Sequence, residues 1–534
     1  MAAMARKILV VSDRRKRSIP HPGPGLCREY AGHRREPSSN SQFKRLNVFV
    51  KSRLTCRLRN DRHLGIGCTF QRQNPGQIDS ARTATMLRNI RISLWGLIAG
   101  LTVLWLLANL PFPDDLTVIT LRNLLVQYSG VIGISVMSVA LILAVRPVWL
   151  EPWLGGLDKS YRLHKWLGIA GLVAAIFHWV ASNVPEWAVS LGVLAAPERR
   201  APPAGGATVD IVTIESVLNG LRGTAEGLGE KAFYVAVLLI ALALIRRFPY
   251  RLFAKTHLFI AVAYLVLVFH SVVLLDFSAW MLPLGIATGL LMLAGTVSAV
   301  LVLTRQVGKR RKVAGTVEEQ HLFKDMNVLE TTIRLDDGWT GHKSGQFAFV
   351  TFDQSEGAHP FTIASAWDAS DPRIMFITKG LGDYTDDMPE RVRVGSQAIV
   401  EGPYGGFTFE DTAARQIWIG GGIGITPFIA RMKHLAKNAG SQTVDLFHTT
   451  PRLAPEAREK LTADAKAAGI RLHVMVDDED GLLTGERLRA AVPDWQSASV
   501  WFCGPAAFAK TLRRDLAAHG MACAAFHQEL FNMR

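Results

Sequence analysis

The stretch LHKWLGIAGLVAAIFH, residues 163–178, places two histidines inside an apolar run of membrane length. A second stretch, HLFIAVAYLVLVFH at residues 257–270, repeats the arrangement. The four residues are His164, His178, His257 and His270. An imidazole in hydrocarbon is costly and usually functional. Two pairs at similar depths therefore predict two stacked bis-histidine metal centres, of the kind that b-type haems form.

Six apolar runs approach the roughly 20 residues that cross a bilayer. They are Leu94–Leu110, Tyr128–Val145, Trp166–Val184, Ala232–Ile245, Leu258–Leu275 and Ala279–Leu303. The fourth run is short, and we expect it to extend into its flanks. The flanks on one side carry 15 Lys and Arg, and those on the other carry 5. This bias predicts a multi-pass cell-membrane protein with both termini in the cytoplasm and one large extracytoplasmic loop, from Pro185 to Lys231.

The third and fifth runs then lead outward, so His164 pairs with His257 near the inner face and His178 with His270 near the outer face. Two neutral imidazoles on each iron suit electron transfer rather than ligand binding at the metal. The first pair is 14 residues apart, about 21 Å along one side of a helix, but the 13-residue spacing of the second gives an offset of roughly 140°. Either that helix is distorted, as at a π-bulge, or its two haems approach from different sides. A polar path through a transporter is the alternative to metal binding.

The net charge of +15 is concentrated at one end of the chain. Residues 1–85 hold 18 Lys and Arg against 5 Asp and Glu, whereas the rest hold 42 against 40. We therefore expect no nucleic-acid partner for the body of the protein. The basic segment is polar and aperiodic, which indicates either a disordered tail or a gene-model extension ahead of a natural start at Met86. The five cysteines form no CxxC pair, which argues against structural zinc or a built-in iron–sulfur cluster.

The pattern of hydrophobic residues changes after the apolar runs. Residues 313–410 contain short alternating strands broken by Gly and Pro, which predicts a small antiparallel β-barrel. In residues 411–534 strands alternate with amphipathic helices, the pattern of a parallel α/β sheet. The predicted fold is a multi-domain membrane protein in which a six-helix haem bundle over residues 88–308 precedes these two domains.

The barrel carries a candidate flavin site. In HPFTIAS, residues 359–365, the Thr362 hydroxyl suits the edge of an isoalloxazine ring. In KGLGDYT, residues 379–385, the backbone suits a pyrophosphate because glycine permits close approach. The loop EGPYGG at residues 401–406 can close the site, although each motif alone is also compatible with an ordinary turn. The further candidate residues are His359, Pro360, Phe361, Ser365, Gly380, Gly382 and Thr385.

The α/β segment carries a candidate nucleotide site. In GGGIGITP, residues 420–427, Thr426 can cap the following helix and Pro427 suits its first turn, so that the helix N-terminus points at a phosphate. Cys503 ends another strand, where such sheets place their ligand crevice, although a buried thiol is the simpler explanation. Arg452 follows a strand and can meet a 2′-phosphate, which favours NADPH over NADH; a solvated loop arginine fits equally well. The further candidate residues are Gly420, Gly421, Gly422, Gly424, Gly504 and Pro505.

These motifs, with VEGPYGGF, FCGP and FHQELF, resemble the ferredoxin-reductase-type flavoprotein superfamily. Joined to the histidine pairs, residues 88–534 resemble the ferric reductase-like membrane oxidoreductases, a group that includes the NADPH oxidases. The family's flavin site often carries Arg where this chain has His359, a histidine that the membrane oxidases share. The resemblance assigns Thr362 and His359 to FAD, 420–426 to the NAD(P)H phosphates, Cys503 to the nicotinamide, and Glu529 and Phe531 to the isoalloxazine ring.

The expected function is therefore transmembrane electron transfer from cytoplasmic NAD(P)H, through FAD and two b-type haems, to an external acceptor. Ferric iron is the favoured acceptor, with oxygen (giving superoxide) and a quinone as alternatives; the oligomeric state is open. A haem-based redox sensor or a histidine-lined transporter would lack a working NAD(P)H site. In either of those cases NAD(P)H would not change the haem spectrum.

Overall fold

The computed structural model describes residues 55–58, 66–69, 75–115, 117–193, 213–245 and 248–529. The chain forms two compact units, Met1–Arg72 and Gln73–Arg534. In the first, strands β1 (Thr55–Leu58) and β2 (Ile66–Thr69) pair antiparallel. Most of the predicted tail, residues 1–85, lies outside the described residues.

The second unit begins with six helices that are long and apolar enough to cross a membrane, as predicted. The helices of this region are α1 (Pro75–Ala108), α2 (Val118–Ala144), the one-turn α3 (Glu151–Leu154), α4 (Leu157–Ser190), α5 (Ile214–Leu244), α6 (Tyr250–Leu274) and α7 (Pro283–Leu303). α2 is the central helix, because 61% of its most apolar 18-residue segment is buried inside the protein. The corresponding share in the other five helices is 17–28%.

The predicted loop from Pro185 to Lys231 is wrong in extent. α4 runs through Pro185 to Ser190, and α5 already begins at Ile214. Membrane helices tolerate such a proline because neighbouring groups satisfy the freed backbone. The polar start of α5 is capped reciprocally, since Ser216 N donates to Thr213 Oγ1 at 3.1 Å and Thr213 N donates to Ser216 Oγ at 3.0 Å. The expected extension of the fourth run is confirmed on this side.

The barrel consists of one six-stranded antiparallel sheet in the order β6-β5-β8-β3-β4-β7. A bridge between Ile363 and Phe376 links the β6 end of the sheet to β7. The elements are β3 (Lys312–Phe323), β4 (Val328–Leu335), β5 (Phe347–Thr351), β6 (His359–Thr362), β7 (Arg373–Lys379), α8 (Asp383–Arg391) and β8 (Gln397–Tyr404).

The last region has the predicted α/β architecture, with a parallel sheet in the order β11-β10-β9-β12-β13. β9 and β12 are neighbours, and their register pairs Gly420 with Cys503, so the glycine-rich turn and the cysteine meet at one sheet edge. The elements are β9 (Arg415–Gly421), α9 (Thr426–Lys437), β10 (Thr443–Thr450), α10 (Pro455–Ala467), β11 (Arg471–Val476), α11 (Asp477–Asp480), α12 (Gly485–Ala491), β12 (Ser499–Cys503), α13 (Ala506–Ala518) and β13 (Phe526–Gln528).

Candidate functional site

The four membrane histidines meet in the two pairs that the sequence predicts. The ring centroids of His164 and His257 lie 5.9 Å apart, and those of His178 and His270 lie 6.2 Å apart. A metal bound by two imidazole nitrogens at about 2 Å each would hold the ring centroids roughly 6 Å apart. Each pair therefore has the separation that a shared metal requires, and the residues fit a haem iron with two axial histidines.

Helix α2 orients both histidines of α4. His164 Nδ1 lies 2.8 Å from the carbonyl oxygen of Ala140, and His178 Nδ1 lies 3.0 Å from that of Val126. A carbonyl oxygen only accepts, so Nδ1 carries the proton and Nε2 keeps its lone pair for a metal. The two carbonyls are 14 residues apart, as are the two histidines on the antiparallel helix. Such contacts fix the ring and raise the basicity of the ligand nitrogen.

The two histidines of α6 have different neighbours. His270 Nδ1 donates to the Ala225 carbonyl on α5 at 2.8 Å, and a Cβ at Gly229 would lie 2.0 Å from that nitrogen. The His257 ring instead stacks on Phe253, one turn earlier, with centroids 5.0 Å apart. α6 is α-helical from end to end. The π-bulge alternative is therefore wrong, and the approach of two haems from different sides stays a prediction.

A cavity of about 490 Å³ surrounds the outer pair, His178 and His270. Its walls come from α2, α4, α5, α6 and α7, and Gly130 on α2 leaves a Cβ position only 3.4 Å from the His178 ring. The small residue on α2 therefore leaves room beside the ring. Five charged residues also contribute to the wall: Arg122, Glu186, Arg222, Glu226 and Glu230.

The predicted flavin strand is β6, which pairs with β5 so that Thr362 lies opposite Phe347. Thr362 is buried, and Pro360 and Phe361 lie between it and His359. The His359 ring stacks on Tyr384, with centroids 4.0 Å apart and planes 10° apart. Burial lowers the pKa of His359 and raises that of Tyr384 to about 12, so both rings are neutral at pH 7. Sequence reasoning missed Tyr384, although it stands inside the KGLGDYT motif.

The predicted phosphate loop at the start of α8 uses its residues in different ways. A Cβ at Gly382 would meet open space, whereas one at Gly380 would lie 2.0 Å from Asn327 Nδ2. Gly380 is therefore explained by packing against the protein, and only Gly382 leaves room for a ligand. The Thr385 hydroxyl accepts from Leu381 N at 2.9 Å and donates to the Gly382 carbonyl at 3.1 Å. It folds the loop, as the Ser365 hydroxyl anchors β7 by accepting from Met375 N at 3.1 Å.

The glycine-rich turn connects β9 to α9 through a 3-10 turn, Gly422–Ile425. A Cβ at Gly424 would lie 2.2 Å from the Cys503 carbonyl oxygen, and one at Gly421 would lie 2.9 Å from Pro505 Cδ. Gly504 has φ 158° and its Cβ would be 3.1 Å from the Gly421 backbone. The turn therefore packs closely on the backbone of Cys503 and Gly504 and on the Pro505 ring. Gly420 packs in the same way on Ile425, and Gly422 has φ 57° with open space beside it.

The predicted cap of α9 is wrong in its detail. α9 begins at Thr426 itself, with Pro427 in its first turn as expected, and no side chain caps it. The Thr426 hydroxyl donates to the Ile423 carbonyl at 2.8 Å and stabilises the 3-10 turn. The first amide groups of α9 are consequently left without a capping side chain. This is the arrangement that binds phosphate at a helix N-terminus.

Cys503 and Glu529 are both buried at the end of β12. Burial raises the pKa of the Cys503 thiol well above its usual value. Burial, with the nearby charge of Asp158, also raises the pKa of the Glu529 carboxyl well above its usual value. A Cβ at Gly405 would lie 3.7 Å from Glu529 Oε1, so the carboxyl is close to the 401–406 loop. Phe531 lies outside the described residues.

A cavity of about 200 Å³ adjoins the glycine-rich turn, and its wall includes Gly422, Ile423 and the exposed Arg452. His448, on β10, also lines it and was missed by the sequence reasoning. Its Nδ1 donates to the Gly420 carbonyl at 3.1 Å, and burial lowers its pKa to about 4. The barrel completes the wall, so this cavity lies between the barrel and the α/β domain.

Two protein families match this chain. Residues 129–268 match the "Ferric reductase like transmembrane component" and residues 320–408 match an "FAD-binding domain". The first match contains three of the four membrane histidines, His164, His178 and His257. The second contains the motifs at residues 359–365 and 379–385. The resemblance inferred from the motifs is confirmed over these two segments: helices long and apolar enough to cross a membrane match a ferric reductase-like component, and the barrel matches an FAD-binding domain.

Curated relatives match only part of the chain. The glycine betaine monooxygenase reductase subunit of Chromohalobacter salexigens is 27% identical over 207 residues, 35% of this chain and 56% of that protein. The 3-ketosteroid-9-alpha-monooxygenase ferredoxin reductase component of Rhodococcus rhodochrous is 27% identical over 197 residues, 36% and 56% respectively. The chain thus spans little more than half the length of these relatives. The structure of a flavohemoglobin from Malassezia yamatoensis has 18% identity and a TM-score of 0.41, covering 75% of this chain and 94% of that one.

Proposed function

We propose that this chain, which joins a ferric reductase-like transmembrane domain to an FAD-binding reductase module, carries electrons from cytoplasmic NADPH across the membrane to ferric iron. Both termini lie in the cytoplasm, as the basic flanks indicate, and the apolar helices contact membrane lipid. Bound FAD and two b-type haems supply the redox chemistry, a two-electron store and a single-electron relay.

The observation that carries this proposal is the geometry of the two histidine pairs. Their ring separations of 5.9 and 6.2 Å suit a shared iron, and the pairs lie about 21 Å apart along α4. Three of the four rings present Nε2 because Nδ1 donates to a backbone carbonyl. A histidine-lined transporter has no need of paired rings at this spacing.

At the cytoplasmic end, the residues bind and orient the reactants. The amides that begin α9 and the open side of Gly422 receive the phosphates of NADPH. Thr362 on β6 and the amides at Gly382 receive FAD, and the buried Cys503 corner excludes water from the nicotinamide. The Glu529 carboxyl lies beside the 401–406 loop, where burial raises its pKa and so favours its neutral form over a fixed negative charge in the flavin site that we propose.

The reaction balances as NADPH plus two ferric ions giving NADP⁺, one proton and two ferrous ions. Three carboxylates in the wall of the outer cavity, Glu186, Glu226 and Glu230, outnumber its two arginines, of which Arg222 pairs with Glu226 at 3.6 Å. This balance of charge supports a cationic ferric acceptor. A quinone would need a more apolar opening. Reduction of oxygen to superoxide needs only a small pocket and is the alternative that the experiment must separate.

The test is to add NADPH to the purified, cofactor-loaded chain under argon and record the flavin and haem spectra. We expect the flavin to bleach first and the haem bands to shift to the reduced form. Ferric citrate, oxygen and a soluble quinone are then added separately, and the fastest reoxidant identifies the acceptor. Reduced flavin with permanently oxidised haem would overturn the electron-transfer function and favour a redox sensor.

The preference for NADPH rests on Arg452. We expect Arg452→Ala to raise KM for NADPH roughly tenfold, the value of one charge-assisted hydrogen bond, with KM for NADH unchanged. Arg458→Ala is the matched control, because Arg458 is an exposed arginine of the neighbouring helix α10 that pairs with Glu479 at 3.5 Å. Equal changes for both nucleotides would mean that Arg452 does not recognise the 2′-phosphate.

A further inference from the structure

Arg146 follows α2 in a backbone conformation that is unusual for its type. Its φ is 57°, in the left-handed region that non-glycine residues seldom occupy. Such a conformation persists only where the surroundings hold it in place, and it often marks a functional position. Arg146 stands at the point where the chain leaves the membrane helices, outside every site described above.

The Arg146 guanidinium connects the membrane helices to the barrel. Its Nε donates to the Tyr161 hydroxyl on α4 at 2.9 Å, and its Nη1 pairs with the Glu401 carboxylate on β8. The guanidinium carbon lies 3.9 Å from the centroid of the Phe349 ring on β5. The Arg146 side chain thus links the end of α2 and the first turns of α4 to strands β5 and β8 of the barrel.

Glu401 is fixed as firmly as its partner. Its side chain is 5% exposed, against 17% for Arg146, and it accepts from the Tyr404 hydroxyl at 2.8 Å. A Cβ at Gly308 would lie 2.1 Å from Glu401 Oε1, so the carboxylate has no room to move on that side. A buried charge of this kind is stable only while its partner stays in place.

The contact lies between the two predicted redox sites. Phe349 pairs with Pro360 of the flavin strand β6, and Tyr161 precedes His164 by one helical turn. The backbones also meet directly nearby, since a Cβ at Gly406 would lie 2.9 Å from the Gly155 carbonyl oxygen. A change in the Arg146–Glu401 contact would therefore move the flavin strand relative to the inner histidine pair.

We propose that Arg146 is a positioning residue that holds the flavin-binding barrel against the helix of His164 and so sets the rate at which electrons pass from the flavin to the inner centre. This inference rests on the proposed function. It predicts a selective defect: hydride transfer from NADPH takes place within the cytoplasmic domains and does not depend on the contact.

Three variants separate positioning from stability. Arg146→Lys keeps the charge but loses the planar contact with Phe349. Arg146→Met removes the guanidinium and leaves the buried Glu401 with Lys312, whose Nζ lies 3.7 Å from Oε2, as its remaining cationic partner. The double variant R146M/E401M removes both charges, which commonly preserves the fold. Arg489→Lys is the matched control, because Arg489 pairs with Asp515 inside the α/β domain and its side chain is 18% exposed.

In stopped-flow spectra, flavin bleaching by NADPH should be unchanged in Arg146→Lys, Arg146→Met and Arg489→Lys. In R146M/E401M the haem phase is compared with that variant's own bleaching rate, because Glu401 begins the 401–406 loop beside the flavin strand. The following reduction of haem should slow several-fold in Arg146→Lys and more strongly in Arg146→Met and in R146M/E401M, because the rate of single-electron transfer falls as the flavin strand moves away from the inner histidine pair. Arg489→Lys should match the wild type in both phases. Hydrogen exchange offers a readout that does not depend on turnover: segments 346–352 and 397–406 should exchange faster in Arg146→Met, with β9 and β12 unchanged.

Wild-type haem reduction in Arg146→Lys and in R146M/E401M would overturn the positioning role. A general loss of exchange protection with slower flavin bleaching would also overturn it, because Arg146 would then serve only stability. If NADPH reduces no haem even in the wild type, the proposed function fails, and the exchange result still shows whether Arg146 holds the two parts together.

Discussion

Replacing His178 with Ala is expected to halve the haem content and to lower the reduction of the external acceptor at least roughly 100-fold, while NADPH still bleaches the flavin. His178 shares the outer site with His270, whose ring centroid lies 6.2 Å away, and its Nδ1 donates to the Val126 carbonyl, which leaves Nε2 for the metal. Loss of a ligand exceeds the 10- to 100-fold cost typical of losing a supporting contact. A haem extraction assay and the two-phase NADPH experiment measure the two effects.

Two further variants test whether binding of the outer haem needs only the two imidazoles or also the position in which their rings are held. Ser129→Ala removes a hydroxyl 3.2 Å from His178 Nδ1 but leaves the Val126 carbonyl, so both haems should remain. Gly229→Ala keeps all four histidines, but its methyl group would occupy a position 2.0 Å from His270 Nδ1. The outer haem should therefore be lost there too. Full haem content in His178→Ala would mean that the outer pair binds no metal.

The pairing of the histidines could be predicted because it depends on spacing, apolar length and the basic flanks alone. A 14-residue separation places His164 and His178 on one side of any α-helix. The direction of each span then decides which ring on α6 meets which ring on α4. None of these steps needs a side-chain contact, and the structure has both pairs as expected.

The contacts that orient the rings could not be predicted. The carbonyl for His270 belongs to Ala225, in a polar part of the sequence that looks like a loop and becomes the first turns of α5. Its helical state depends on the Thr213–Ser216 cap and on packing against α6. Carbonyl groups leave no mark in a sequence, so such partners follow only from the register between helices.

The glycine-rich motifs indicated where the two tight turns lie, but they did not indicate why each position must be glycine. Gly380 is required by Asn327, and Gly424 by the Cys503 carbonyl, rather than by a ligand. Arg146 gave no signal at all, because an arginine after a membrane helix is an ordinary basic flank. The sequence marks its partner Glu401 only weakly, as an acidic residue in the otherwise buried end of a strand.

Gly424→Ala is expected to lower the rate of flavin reduction by NADPH roughly 100-fold with flavin and haem content unchanged. The added methyl group would lie 2.2 Å from the Cys503 carbonyl oxygen and 3.0 Å from Gly504 N, both of which are backbone atoms. The glycine-rich turn must then move away from the corner at the end of β12, and a displacement of about 1 Å at a reacting centre costs about two orders of magnitude. Stopped-flow bleaching of the flavin measures the loss.

Photochemical reduction separates this defect from the rest of the electron path. Illumination with EDTA reduces the flavin without the nucleotide, so Gly424→Ala treated in this way should pass electrons to the haems and the acceptor at the wild-type rate. Gly440→Ala is the control in the same domain, because its methyl group would meet only the flexible Leu435 side chain, 3.0 Å away. An unchanged rate with NADPH in Gly424→Ala would place the nucleotide elsewhere, since the glycine-rich turn cannot accept a methyl group and keep its present geometry.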